Sequence, residues 1–344
     1  MVHTILRAAR LIGFMLVVAL GLALQPQTAA AQQGAQVNPT AQSLKEADLL
    51  KALKSGETIN GRITIPDRKA ANLMQPEGQA WSAFKTGTLP RIGAIAILGM
   101  LVLLCVFYAI RGRIMIDSGR SGQVIERFNA LDRFVHWLTA FSFMLLALSG
   151  LNITFGRSLV LPLVGAEAFT SLSLFGKLVH NYVGFAFMLG VALTLVVWVK
   201  DNLPSSLDVQ WLARFGGLWH KGDHPPARRF NAGQKGIFWS VVVGGVLMSI
   251  SGLHLLFPNS VDGGVAEIQT QSMIHGILAM VMVAIILAHI YIGSVGMEGA
   301  KEAMTTGEVD LNWAKEHHSL WVEEELKAKG GKVLHPAGQV APAE

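Results

Sequence analysis

Residues 271–296 read QSMIHGILAMVMVAIILAHIYIGSVG, an apolar helix long enough to cross a bilayer that nevertheless carries two histidines. His275 and His289 stand 14 residues apart, which on an α-helix is about 21 Å along the axis and within about 40° of one face. An imidazole in hydrocarbon is costly, and such residues mark a functional site facing the bundle interior. Two of them on one face at two depths, each turned to a partner helix, suit two haems near opposite membrane surfaces. Histidines satisfied by neighbouring backbone are the competing reading, and this helix alone leaves both open.

The rest of the composition agrees with a membrane protein. Of 344 residues, 51% are hydrophobic and only 15% charged, too apolar a balance for an ordinary soluble chain. The net charge of +5 does not imply a nucleic-acid partner, because the basic residues cluster beside apolar runs, where they set orientation. Cys105 is the single cysteine. An internal disulfide, a Cys-ligated iron–sulfur cluster and a C-x-x-C-H haem attachment are therefore excluded, and any haem must be of b type.

Residues 1–31 combine a short basic start (Arg7, Arg10), an apolar run over 11–24 and small residues at TAAAQ. This predicts a secretory signal cleaved after Ala31, with an uncleaved anchor as the alternative. Residues 32–90 are polar and rich in Gln, Ala, Gly and Pro; they predict a periplasmic extension, or else a partly ordered tail.

The fold expected for residues 91–296 is an all-α polytopic bundle. Five spans of membrane length follow one another: Ile92–Ile110, Phe134–Phe155, Leu174–Val199, Ile237–Phe257 and Gln271–Gly296. The connections carrying Arg111, Arg113, Arg120, Arg127 and Arg133, and Lys200, Arg214, Lys221, Arg228, Arg229 and Lys235, are basic; the other two are not. By the positive-inside rule the basic connections and the tail, residues 297–344, are cytoplasmic, in the inner membrane of a bacterium.

That orientation sorts the histidines by depth. His136 and His289 fall towards the cytoplasmic side, His180 and His275 towards the periplasmic side, and each pair can fill both axial positions of one iron. Gly150, 14 residues beyond His136, is expected against the periplasmic haem, where a side chain would strike the macrocycle; Gly184 and Gly276 are weaker candidates of the same kind. Spans two and four end in similar stretches, LSGL at 148–151 and ISGL at 250–253, whose small residues permit close packing or a flat ligand. His254 is expected to be a polar residue at the interface. His220, His224, His317 and His318 are expected to be solvated, since their spacing lacks the rest of a metal site. In RRFNAGQK, residues 228–235, Asn231 followed by Gln234 makes a helix capping box. The same polar helix start could hydrogen-bond a quinone carbonyl, and the residues alone favour neither reading.

The segments RFNALDRFVHWL, LVHNYVGF, RRFNAGQK, the two-histidine span and MEGAKEAMTTGEVDLNWAKEHHSLW together resemble the cytochrome b (gamma) subunit of membrane-bound formate dehydrogenase, over about Glu126 to Leu320. The resemblance implies two b haems, on His180 with His275 and on His136 with His289. It implies quinone contact near Asn231, Gly233, Gln234 and His289. It also implies two partners, a molybdenum or tungsten pterin subunit that oxidises formate and an iron–sulfur subunit that delivers electrons. The first span departs from the four-span form of that family. The cytochrome b subunit of a membrane hydrogenase is the nearest rival; a transporter or a redox-inert anchor is the rival of another class, disfavoured by the lack of Asp and Glu in the last span.

Overall fold

Two capping boxes start two of the long helices. Asn129 accepts from the backbone N–H groups of Leu131 and Asp132, while Asp132 accepts from Asn129 N; Asn231 and Gln234 exchange the same pair of bonds. Each box satisfies donors that the first turn leaves open. In this computed structural model residues 54–55, 78–260, 264–329 and 334–336 are described. The expected signal and most of the expected extension lie outside them. The chain divides into units 1–76 and 77–344.

The second unit contains five helices long and apolar enough to cross a membrane. They are α1 (Leu89–Arg111), α2 (Ala130–Leu159), α3 (Ala166–Trp198), α5 (Ala232–Leu256) and α6 (Gly264–Tyr291), with α4 (Ser206–Ala213) a short helix between α3 and α5. All five start before the expected spans. The boxes move α2 and α5 back to 130 and 232, and α3 and α6 run on past the apolar region because AEAFTSLS and GVAEIQT keep the helical bond ladder going. Ahead of α1, helical turns begin at Gly78 and pass through a wide π-turn at Phe84–Thr88. Pro90 explains that widening, since it has no N–H for the carbonyl four residues earlier. Residues 78–90 therefore belong to the helix and not to an extension.

Helix α2 packs along α3, α3 along α5 and α5 along α6. Helix α1 lies outside this four-helix set and packs chiefly on α6, with Gly93 against Met280 and Gly276 against Leu89. Side chains such as Ile95, Val102, Leu148 and Val196 face outward, as hydrocarbon requires of a bundle with no water around its waist.

One end of the bundle carries a small folded cap. Strand β1 (Gln123–Glu126) is flanked by β2 (Glu308–Asp310) and β3 (Leu334–Pro336), both antiparallel to it. Helices α7 (Leu311–His317) and α8 (Ser319–Lys329) close over it, burying Ile125, Phe128, Val309, Trp313, Ala314, Trp321 and Val322. Residues 297–329 and 334–336 thus belong to a folded cap. At the other end, the open end among the described residues, the helices are joined through 160–165 and 257–260.

The cap corrects the expectation for two histidines. His318 is fully buried; its Nδ1–H donates to the Arg228 carbonyl at 2.8 Å and its Nε2 accepts from Arg127 at 3.0 Å. Arg127 is also buried, donates to the Arg229 carbonyl, and lies over the rings of Phe128, Trp313 and Trp321. Burial, reinforced by Arg229, pulls its guanidinium down to about 9, so it stays charged at neutral pH. His317, between Trp313 and His224, is lowered from 6.5 to about 4, chiefly by burial; His224 and Arg127 add to this while Glu316 and Asp117 oppose it. Sequence spacing could not reveal these contacts, because the partners lie about 90 and 190 residues away.

Two predictions follow from the capped end. An unfolded chain binds protons on its histidines as pH falls below about 6.5, whereas the folded cap holds His317 neutral down to about 4. The cap should lose stability through that window and be insensitive above it, which tryptophan fluorescence during denaturation at stepped pH would register. Asp132 is buried and accepts from Trp198 Nε1 at 2.7 Å and from Arg229 at 3.1 Å. Asp132→Ala strands the buried Trp198 N–H and leaves Arg229 with Asp201 alone, and should cost about 3 kcal/mol, read as a lower unfolding temperature in detergent.

Candidate haem sites

Helix α6 supplies one histidine to each of two pairs. Near the capped end His289 faces His136 of α2, with ring centroids 6.2 Å apart and planes at 57°. Towards the open end His275 faces His180 of α3, again at 6.2 Å, with planes at 63°. Two metal–imidazole bonds of about 2 Å, with the ring radii added, place centroids roughly 6 Å apart across one metal ion. Both pairs have that spacing, and no hydrogen bond joins the rings of either pair among the described residues. Helix α6 packs on α5 and α1 but stands off from α2 and α3, the helices that carry its partners. One turn from His180, a Cβ added at Gly184 would meet nothing within 4 Å. The donor set suits haem b: four neutral imidazoles, and one cysteine exposed on α1.

The open-end pair has an anchoring arrangement that sequence reading missed. Ser149 Oγ lies 2.8 Å from His180 Nδ1, and Ser251 Oγ lies 3.0 Å from His275 Nδ1. Each serine spends its own hydrogen on its helix, Ser149 on the Leu145 and Leu146 carbonyls and Ser251 on those of Leu247 and Met248. The oxygen is then an acceptor, so each Nδ1 carries the hydrogen and each Nε2 keeps its lone pair for a metal. The similar stretches LSGL and ISGL were the available signal, but smallness hid the hydroxyls.

The glycines after those serines lie beside the same rings. A Cβ at Gly150 would stand 3.5 Å from His180 Cε1, and one at Gly252 would stand 3.3 Å from His275 Cε1. Gly150 therefore borders the His180 imidazole at the carbon beside Nε2. Gly276 faces Leu89 of α1, which removes it from the candidate cradle. His254 lies in the last turn of α5, and its buried Nδ1 has no hydrogen-bond partner among the described residues, as is also true of His136.

Asn231, Gly233 and Gln234 come together at the start of α5. The capping box uses the two amide oxygens, and so leaves both amide nitrogens as donors for a carbonyl; the two sequence readings of this box are compatible. Gly233 is covered by Trp211 of α4. Arg228 and Arg229 are tied to the cap through His318 and Arg127, and Arg229 also pairs with Asp132 and Asp201. Lys235 reaches Asp208 at 2.9 Å. A cavity of about 290 Å³ lined by Asp201, Asp208, Trp211, Phe230 and Lys235 opens beside Asn231. Asn231 and Ala232 line it; Gly233, Gln234 and His289 do not.

Comparison with known proteins matches residues 127–307 to the family described as prokaryotic cytochrome b561. The chain belongs to that family. The matched residues include all four paired histidines, both serines and Asn231, and leave out α1, α7 and α8, just as the bundle sets α1 outside its four-helix set. Prokaryotic cytochromes b561 are membrane electron-transfer haem proteins. This cytochrome b561 chain is 28% identical to the nitrate-inducible formate dehydrogenase cytochrome b556(Fdn) subunit of Escherichia coli K12, over 62% of its own length and 96% of that relative. It is 28% identical to the formate dehydrogenase cytochrome b556(fdo) subunit of the same organism, over 60% and 95%. Against the formate dehydrogenase cytochrome b556 subunit of Haemophilus influenzae it is 24% identical, over 60% and 85%.

Proposed function

We propose that this chain is the membrane cytochrome b subunit of a formate dehydrogenase, carrying electrons from an iron–sulfur partner through two b haems to quinone. The observation that carries the reading is the pair of 6.2 Å histidine couples stacked on one helix. A transporter or passive anchor has no use for two such couples, and the names of the relatives favour formate dehydrogenase over hydrogenase.

On this reading the capped end, with its Arg- and Lys-rich connections, faces the bacterial cytoplasm and the open end faces the periplasm. His180 with His275, and His136 with His289, hold one haem each. When bound, haem would supply a one-electron carrier, and an imidazole from each helix of a couple would leave no place for oxygen, which favours electron transfer over oxygen chemistry. Ser149 and Ser251 keep their histidines in the metal-binding tautomer. The amide nitrogens of Asn231 and Gln234, beside Gly233, donate to a quinone carbonyl at the capped end, close to cytoplasmic protons; His289 serves the neighbouring haem. A molybdenum or tungsten pterin subunit oxidises formate and passes electrons to the iron–sulfur subunit.

Co-expression with such partner subunits tests the assignment. The expected result is a co-purifying complex that reduces quinone when given formate. A haem-loaded chain that assembles instead with hydrogenase subunits, and responds to hydrogen, would replace this reading by its rival.

A further inference from the structure

The two histidine couples differ at the outer nitrogens of His180 and His275 on one side and of His136 on the other. At the open end both Nδ1 atoms meet a serine oxygen, at 2.8 and 3.0 Å, and both serines are buried. At the capped end His136 Nδ1 is buried with no partner among the described residues. An imidazole whose Nδ1–H is drawn to an acceptor is a more basic ligand and favours the ferric over the ferrous state. A serine that is itself donating to a carbonyl is a better acceptor, because bonds in a chain polarise one another.

We propose that Ser149 and Ser251 are positioning residues that make the open-end haem the lower-potential member of the pair, so that electrons run downhill towards the capped end. The inference rests on the two-haem reading above. Transfer oxidises the open-end iron from ferrous to ferric and reduces the capped-end iron from ferric to ferrous, one electron for one, with no proton moved. The asymmetry gives the bundle a direction that the symmetric 6.2 Å spacing does not.

The test is a spectroelectrochemical titration of the intact complex, with the open-end wave identified as the one missing in His275→Ala. The wild type should show two waves, the lower belonging to the open end. Ser149→Ala and Ser251→Ala should each raise that wave, increasing its ferrous-to-ferric ratio several-fold at fixed potential; tenfold would be 59 mV for one electron. The capped-end wave should not move. Ser149→Cys and Ser251→Cys keep the volume but offer a weak acceptor, and should shift in the same sense as Ala. Three results would overturn the proposal: an open-end wave that lies higher in the wild type, Ala variants with unchanged potentials, or Cys variants that behave as wild type while Ala variants shift. A wild-type protein with fewer than two haems would instead remove the reading on which the proposal rests.

Discussion

His275→Ala is expected to halve the haem content of the purified protein, emptying the open-end site and leaving the capped-end site filled. His289→Ala should also halve it, with the opposite site lost. The basis is that the two residues share α6 yet face different helices, His180 on α3 and His136 on α2, about 21 Å apart along the axis. Removing one imidazole leaves the other couple untouched. His180→Ala should match His275→Ala, and His136→Ala should match His289→Ala. Haem content by pyridine haemochrome, with the potential of the remaining wave, reads the outcome. If His136→Ala and His275→Ala emptied the same site, the pairing would be wrong.

Gly150→Leu should empty the open-end site, whereas Gly150→Ala should keep both haems. The first carbon added at Gly150 stands 3.5 Å from His180 Cε1, an ordinary contact that the bundle can absorb. A leucine extends past it towards a ring whose position Ser149 fixes at 2.8 Å. Overpacking of a core usually costs about 1–3 kcal/mol, enough to displace a ring but not to unfold five helices. A Leu variant with full haem content would show that the ring has room to swing.

Much of this was readable from residue order because hydrocarbon imposes simple rules. Span length and the lack of charge give five helices, and a histidine in such a helix declares itself by cost alone. The depth of His136 against His289, and of His180 against His275, follows from counting along each span, and the structure brings both couples face to face. The capping box at Asn231 was legible because its two partners are three residues apart. What was not legible depends on contacts between distant segments. Ser149 and Ser251 look like ordinary small residues until α3 and α6 bring imidazoles to them. His318 looks like a surface residue in a polar stretch until Arg127 and the Arg228 carbonyl enclose it. The cap itself, built from strands at 123–126, 308–310 and 334–336, is too short in each piece to carry a periodic signal.

Two haems held between paired histidines would show in a reduced-minus-oxidised optical spectrum of the purified chain with haem quantified per polypeptide. The expected result is b-type bands, a low-spin six-coordinate signature and two haems per chain. A chain that is stably folded in detergent but shows no b-type band, or a single haem that survives both His275→Ala and His289→Ala, would contradict it.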